Sequence, residues 1–289
     1  MKEPRVIAEI GCNHKGDMDI AKELILMAKT FCKVDAVKFQ KRDIETWAHK
    51  DPALYDAPHP NPINAYGDTY KEHREALEFT KEQHKELKKY CEEVGIEYST
   101  SVWDLPSAKQ IVELKPKMIK IPSACNNHWE MLEWLCKNYK GEIHVSTGMT
   151  KSEEIDELID LFKKHKRNKD LVLYNCVSGY PVPFEDLYLL EIPKMIKKYG
   201  EVVKEIAFSG HHLGIAIDVA AYTLGATTIE RHYTLDRTWK GTDHAASLEP
   251  DGLRRVKRDL LAVYEALKEK KSDILEIEKA QRKKLKWNK

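Results

Sequence analysis

The 289-residue sequence has no long hydrophobic run and no excess of charge of either sign. No stretch approaches the roughly 18 apolar residues that a membrane-spanning helix needs. Glu9 interrupts the first apolar run, so the start of the chain does not resemble a signal peptide. The 48 Lys and Arg residues are balanced by 47 Asp and Glu residues. We therefore expect neither nucleic acid nor a membrane as the main partner.

The six cysteines are scattered, and no Cys-x-x-Cys pair occurs among them. This spacing excludes a zinc ribbon, a dithiol redox motif and a small disulfide-stabilised scaffold. Reduced thiols and a cytoplasmic location are the expectation. The cysteines are Cys12, Cys32, Cys91, Cys125, Cys136 and Cys176.

What the sequence does contain is an alternation of short apolar runs with amphipathic helical stretches. Eight runs bounded by Gly, Pro or polar residues are typical of buried parallel strands. Eight strands alternating with helices predict an α/β fold, a (β/α)8 TIM barrel, over residues 1–270. An open doubly wound sheet is the alternative, but no Gly-x-Gly-x-x-Gly follows the first run. The runs cover residues 6–11, 34–40, 96–100, 118–122, 143–147, 171–177, 206–209 and 227–231.

Three local features add to this expectation. Residues 41–78 are too long for an ordinary connection and carry Pro58, Pro60 and Pro62, which predicts a loop over the active site. Residues 271–289 form a charged tail. Thr150 and Glu153 have the spacing of a capping box that opens a helix over residues 153–166.

Two lysines lie near strand ends between apolar neighbours. Side chains alternate along a strand, so Lys38 points away from Val37 and Phe39 and shares its face with Gln40. Lys120 alternates in the same way. A lysine in a barrel mouth needs an anion or loses its charge, so the pair suggests a phosphate or carboxylate ligand. The alternative is that each lysine extends to the solvated rim.

Hydroxyl residues occur at the same level of the strands and can donate hydrogen bonds to phosphate oxygens. Ordinary loop and capping roles are the alternative for each one taken alone. Their shared position at strand ends is the signal. The residues are Thr100, Ser123, Ser146, Thr147 and Ser178, with Gly148 among them.

His211 and His232 end the seventh and eighth strands, which are neighbours in a barrel. Both imidazoles can therefore reach one divalent ion, with Asp243 following in the sequence. Hydrogen-bonded core histidines are the alternative. Glu230 shares the face of His232 and is either a support for that ligand or a core ion-pair partner. Glu9 is an acid/base candidate or the partner of a buried lysine.

Taken together, these motifs resemble the N-acetylneuraminate (sialic acid) synthase family. They occur in the family's order between residues 5 and 265. The matching pieces are Ala8-Glu-Ile-Gly-Cys-Asn-His14, Lys38-Phe-Gln40, Ser99-Thr100, Lys120-Ile-Pro-Ser123, Ser146-Thr-Gly-Met149, Cys176-Val-Ser-Gly-Tyr-Pro181, Ser209-Gly-His211, Glu230-Arg-His232 and Gly241-Thr-Asp243.

The resemblance implies a (β/α)8 transferase that condenses phosphoenolpyruvate with an N-acyl-mannosamine-type aldose. The products are a nine-carbon 3-deoxy-2-keto acid and phosphate, with cleavage of the C–O bond. It implies a divalent metal, Mn²⁺ first and Mg²⁺ or Co²⁺ as alternatives, held by His211 and His232. Catalytic roles fall on Glu9, Lys38, Lys120 and Asp243. Substrate-binding roles fall on Gln40, Thr100, Ser123, Ser146, Ser178 and Tyr180.

Two departures from the family pattern stand out. Lys120-Ile-Pro-Ser123 continues into Ala124, Cys125 and Asn126, where family members commonly carry an acidic residue. The chain also ends about where the family's antifreeze-like domain would start. A homodimer is implied. Either that domain is a separate polypeptide, or this sequence is a piece of a longer chain, or the aldose is recognised in a different way.

The sequence leaves the aldose open among N-acetylmannosamine, its 6-phosphate, a diacetamido-trideoxyhexose and other sugars. Two other functions compete with the synthase. One is a metal-independent Schiff-base pyruvate aldolase, with Lys120 or Lys38 as the nucleophile. The other is a catalytically silent homologue that binds sugar or phosphoenolpyruvate.

Overall fold

The computed structural model describes residues 2–288, and the chain forms a closed barrel of eight parallel strands in sequential order. The expectation of a (β/α)8 barrel is confirmed, and every strand lies within two residues of its predicted bounds at either end. The strands are β1 Arg5–Gly11, β2 Ala36–Lys41, β3 Glu97–Val102, β4 Met118–Ile121, β5 Glu142–Ser146, β6 Leu171–Cys176, β7 Glu205–Gly210 and β8 Thr228–His232.

Helices follow the strands and cover the outside of the barrel. Within the described residues, no helix is both long and apolar enough to cross a membrane. The helices are α1 Met18–Thr30, α2 Ile44–Lys50, α3 Pro52–Tyr55, α4 Tyr70–Leu77, α5 Lys81–Val94, α6 Leu105–Glu113, α7 Trp129–Asn138, α8 Ser152–Lys164, α9 Glu191–Tyr199, α10 Ala216–Thr223, α11 Pro250–Ala266 and α12 Glu276–Leu285.

The main apolar core lies between the strands and this outer layer of helices. In β2, Val37 and Phe39 are fully buried in it, while Lys38 and Gln40 face the barrel interior, as alternation predicts. Asp17 caps the amino end of helix α1, and its carboxylate accepts hydrogen bonds from the amides of Asp19 and Ile20. Such capping satisfies amide groups that the first turn leaves free.

The predicted capping box of α8 is wrong by one residue. The helix begins at Ser152, and Glu154 accepts a hydrogen bond of 2.7 Å from the Lys151 amide. Thr150 lies outside the helix, where its hydroxyl donates to the Gly148 carbonyl at 2.8 Å and accepts a hydrogen bond of 2.6 Å from the Asn126 side chain. Thr150 therefore fixes the loop that carries Gly148 toward the barrel mouth.

The segment predicted as a long loop, residues 41–78, begins with the last residue of β2 and contains three short helices, α2, α3 and α4, within residues 42–78. We call this segment the lid. The hydroxyl of Tyr66 donates to the Lys240 carbonyl, and the Gly241 amide donates to the Asn64 side chain at 3.3 Å. These bonds tie the lid to the loop after β8, so the lid forms part of the wall of the barrel mouth.

Candidate active site

A cavity of about 350 Å³ lies at the carboxyl end of the strands, where barrel enzymes carry their active sites. All but one of the site residues expected from the sequence line it. They are Glu9, Lys38, Gln40, Lys120, Ser123, Ser146, Ser178, Tyr180, His211, His232 and Asp243.

Thr100 is the exception. Strand pairing places Lys38 beside Ser99 and Gln40 beside Ser101, so the odd-numbered residues of β3 face the barrel interior. Ser101 lines the cavity, and its hydroxyl accepts a hydrogen bond of 2.8 Å from Lys38. Thr100 is fully buried and points to the other face. The sequence assignment missed this because Ser99, Thr100 and Ser101 all carry hydroxyls. Residue type alone does not tell which of them face the barrel interior.

The floor of the cavity is a network of two lysines and two carboxylates. Lys38 lies 2.6 Å from Glu9 and 3.6 Å from Glu230, and Lys120 lies 3.0 Å from Glu230. All four side chains are almost fully buried. Glu9 and Glu230 are thus the ion-pair partners that the two buried lysines require.

The pKa values of the two lysines shift in opposite directions, because burial and neighbouring charges have different weights at the two positions. Burial lowers the pKa of Lys38, but Glu230 and Glu9 outweigh it and raise that pKa overall. For Lys120, burial and the nearby Lys38 outweigh Glu230, and the pKa is lowered. Burial opposes ionisation of Glu230, yet Lys120 and Lys38 hold its pKa well below the usual range.

Two hydroxyl groups, from the loops after β4 and β6, lie close to Gly148 on one side of the cavity. The Gly148 amide donates to the Ser123 hydroxyl at 3.0 Å. A Cβ atom at Gly148 would lie only 2.4 Å from the Ser178 hydroxyl and 2.9 Å from that of Ser123. The absence of a side chain at Gly148 therefore lets both hydroxyls approach the backbone closely. Thr147 takes no part, because its hydroxyl donates to the Tyr174 carbonyl at 2.8 Å.

His211 and His232 face each other across the cavity, with ring centroids 5.4 Å apart. The Nδ1 atom of His211 lies 2.9 Å from the Val177 carbonyl. A proton on Nδ1 that donates there leaves Nε2 free as a ligand. The Nδ1 atom of His232 is buried without a hydrogen-bond partner among the described residues, 4.0 Å from Asp243. Burial, helped by His232, lowers the pKa of His211 to about 3.

These two imidazoles fit a divalent metal, since neutral imidazole is a common ligand for one. Within residues 2–288, no three His, Cys, Asp or Glu side chains come together as a closed metal cluster. An ion here would take its remaining ligands from water or substrate.

Two other histidines, which directly follow His211 and Asp243 in the sequence, have structural partners. His212 lies 2.9 Å from Arg231, which also forms an ion pair with buried Asp218. His244 lies 2.7 Å from the Thr234 hydroxyl. These groups fix the loops behind the cavity.

Sequence reasoning missed the contribution of two arginines to the site. Arg42 follows β2 directly, stacks 3.7 Å from the Trp103 ring centroid and forms an ion pair of 3.2 Å with Glu78. Arg74 reaches the cavity from α4 of the lid. No motif marks either residue, although the length of the lid segment pointed to this part of the chain.

The expected acidic residue after Ser123 has no substitute at that point of the cavity. Ala124 lines the wall there, and Cys125 is buried with its thiol 3.2 Å from the Trp103 carbonyl. The carboxylates that reach the cavity are instead Glu9, Glu230 and Asp243.

Known proteins resemble this chain over most of its length. N-acetylneuraminate-9-phosphate synthase of Homo sapiens is 39% identical over 280 residues, which cover 97% of this chain and 76% of that protein. N,N'-diacetyllegionaminic acid synthase of Campylobacter jejuni is 34% identical over 273 residues, covering 92% and 78%. A solved structure of N-acetylneuraminic acid (sialic acid) synthetase from Leptospira borgpetersenii, in complex with citrate, has a TM-score of 0.81 and 27% identity, covering 98% and 93%.

The family comparison agrees with these relatives. The model of the NeuB family matches residues 24–272. This range includes strands β2 to β8 and nearly all of the cavity residues described above. The resemblance drawn from the sequence motifs is therefore confirmed, and the chain belongs to the NeuB family.

Proposed function

We propose that this protein is a transferase that condenses phosphoenolpyruvate with an N-acyl-mannosamine-type aldose to give a nonulosonic acid and phosphate. The observation that carries the proposal is one cavity that combines two buried lysines, a ring of hydroxyls and two facing histidines. Relatives that align over most of the chain are named as synthases of sialic and legionaminic acids.

The inner side of the cavity suits phosphoenolpyruvate. The hydroxyls of Ser123 and Ser178 beside Gly148 can donate to phosphate oxygens, and Lys120 adds positive charge next to them. Lys38 serves the carboxylate in this proposal. Because both lysines are already ion-paired, their positions are fixed before the substrate arrives, and preorganised charge of this kind stabilises developing negative charge.

His211 and His232 would hold the divalent metal, with Mn²⁺ as the proposed ion and Mg²⁺ or Co²⁺ as alternatives. When bound, the ion supplies Lewis-acid polarisation of the aldose carbonyl. Asp243 and Gln40 line the adjoining wall, where they can orient the sugar hydroxyls. The C3 carbon of phosphoenolpyruvate then attacks the aldehyde carbon, water adds to C2, and the C–O bond to phosphate breaks.

Glu9 is the proposed acceptor of the proton of that water. Its carboxylate accepts a hydrogen bond of 2.9 Å from Gln40 and lies 2.6 Å from Lys38, which fixes its orientation. It lines the cavity in a chain that lacks the family's acidic residue after Ser123. General-base catalysis requires a carboxylate within reach of the reacting water.

We also propose a homodimer located in the cytoplasm. Large apolar side chains are exposed on the loop after β6, beside the barrel mouth: Tyr180, Phe184, Tyr188 and Leu190. Clustered exposed apolar residues are typical of interaction surfaces. Sedimentation of the wild type and a Phe184→Ser, Tyr188→Ser double variant tests this, because the variant should be monomeric.

The function is tested by following the 2-keto-3-deoxy acid and phosphate formed from phosphoenolpyruvate with a panel of aldoses. We expect both products in equal amounts, only with an aldose present, with loss of activity under a chelator and recovery with Mn²⁺. Borohydride with pyruvate should trap no Schiff base. Trapping at Lys120 would indicate the aldolase instead, and binding of phosphoenolpyruvate without turnover would indicate a silent homologue.

A further inference from the structure

Among residues 2–288, Arg74 is the one Lys or Arg of the cavity that forms no ion pair with a carboxylate. Lys38, Lys120 and Arg42 also line the wall, and each forms an ion pair with a glutamate. Within residues 2–288, no carboxylate forms an ion pair with Arg74. A guanidinium in a half-buried wall without a matching charge is a ready site for an anion.

The orientation of Arg74 is fixed by Tyr70, one helical turn earlier in α4. The Nε and Nη2 atoms of Arg74 donate to the Tyr70 hydroxyl at 3.0 and 2.7 Å. The ring of Tyr70 packs in turn against Tyr55 and His59, with centroids 5.2 and 5.5 Å away. The Nη1 hydrogens donate to no described protein atom, so they remain available to a ligand.

Arg74 lines the cavity together with Asp243, one of the two residues assigned to the sugar. Its charge helps His232 to lower the pKa of Asp243 against the opposing effect of burial. Asp243 and Thr242 line the wall together with Arg74. An anion bound here therefore belongs to the second substrate, since the phosphoenolpyruvate anions have their own site at Lys38, Lys120 and the hydroxyls.

We propose that Arg74 binds a phosphate group at the end of the acceptor aldose that is distal to its aldehyde. The inference rests on the proposed function and narrows its substrate class to a hexosamine 6-phosphate. An acceptor whose aldehyde lies at His211 and His232 extends its far end toward the lid. A phosphate there can accept from both Nη1 hydrogens, a geometry that a guanidinium offers and an ammonium does not.

Carbon counting connects this site with the relatives. Phosphoenolpyruvate contributes C1 to C3 of the nine-carbon product, so C6 of the aldose becomes C9. The human and mouse relatives are named N-acetylneuraminate-9-phosphate synthases, at 39% and 38% identity. The phosphate in their product name is thus on C9, which corresponds to the C6 phosphate that Arg74 would bind here.

The experiment measures kcat/KM for N-acetylmannosamine and for its 6-phosphate, with wild type, Arg74→Gln, Arg74→Lys and the control Lys71→Gln. Lys71 lies on the same helix but pairs with Glu45 on the surface at 2.7 Å, so its variant removes one lid charge outside the cavity. We expect the wild type to prefer the phosphorylated sugar. Arg74→Gln should lower kcat/KM for it about 30-fold, mainly through KM, as expected for a hydrogen bond to a charged group.

The same variant should lower kcat/KM for the unphosphorylated sugar at most about fivefold, because that sugar offers Arg74 no anion, and the control Lys71→Gln should leave both values unchanged. Arg74→Lys should fall between wild type and Arg74→Gln. An equal loss on both sugars would overturn the inference, because Arg74 would then serve phosphoenolpyruvate or the fold. A wild type that prefers the unphosphorylated sugar would also overturn it. Failure of the proposed function is distinct, since then neither sugar yields product.

Discussion

The two ends of the barrel interior are both built from ion pairs, but they differ in what those pairs leave free. At the amino end, Arg5 bridges Glu97 at 2.7 Å and Glu142 at 3.3 Å. Glu142 also accepts from Lys204 at 2.6 Å and lies 3.1 Å from His144. The contact with His144 and the bond from Lys204 hold the pKa of Glu142 well below its usual range. These groups satisfy one another and join β1, β3 and β5.

At the carboxyl end, the pairs of Lys38 and Lys120 form the floor of an open cavity. Above that floor, His232 has an unpartnered buried nitrogen, and Arg74 has no ion pair among the described residues. The aromatic face of Tyr174, 3.4 Å below Lys120, separates the two networks. The difference teaches that buried charge alone does not indicate a site. A site requires fixed charges together with unused donors and space.

The largest expected effect comes from Lys120→Met at the carboxyl end. Glu230 keeps Lys38 as a partner at 3.6 Å, so the barrel should remain folded. Loss of one preorganised cation beside the phosphate site should lower kcat/KM about 1,000-fold. Circular dichroism confirms the fold, and product formation measures the loss. A variant with near wild-type kcat/KM would remove Lys120 from the mechanism.

Arg5→Met tests the amino end, where we expect an effect on stability and not on catalysis. It leaves Glu97 without that cation, and we expect the free energy of unfolding to fall by about 2 kcal/mol. This is less than for a fully buried pair, because the Arg5 side chain is 26% exposed. Urea denaturation measures the change. A large fall in kcat of the folded variant would show that the two ends are coupled.

The smallest expected effect compares adjacent residues of β3. Ser101→Ala removes a hydrogen-bond acceptor from Lys38 and should lower kcat/KM about fivefold, or ~1 kcal/mol. Thr100→Val keeps the shape of a side chain outside the cavity and should stay within about twofold. Steady-state kinetics of both variants measure this. A larger loss for Thr100→Val would restore the assignment made from the sequence motif.

The sequence predicted the barrel because eight apolar runs alternate with amphipathic segments, and strand bounds follow from that pattern. It predicted the strand-end residues because polar side chains such as Lys38 and His232 interrupt apolar strands. It placed Thr100 in the cavity where the structure has Ser101, because three consecutive hydroxyl residues do not show which side chains of β3 point inward. It also missed Arg74, because a residue of the lid reaches the cavity only through tertiary packing of α4, which local sequence does not encode.

Binding of phosphoenolpyruvate to wild type and to Gly148→Ala, by titration calorimetry with Mn²⁺ present, tests the central claim most directly. The added methyl group would lie 2.4 Å from the Ser178 hydroxyl, so it would push aside a hydroxyl that is proposed to bind the phosphate. The account predicts a Kd at least about tenfold higher for the variant, with an unchanged unfolding midpoint. An unchanged Kd would contradict it, because the phosphate would then bind elsewhere than at these hydroxyls.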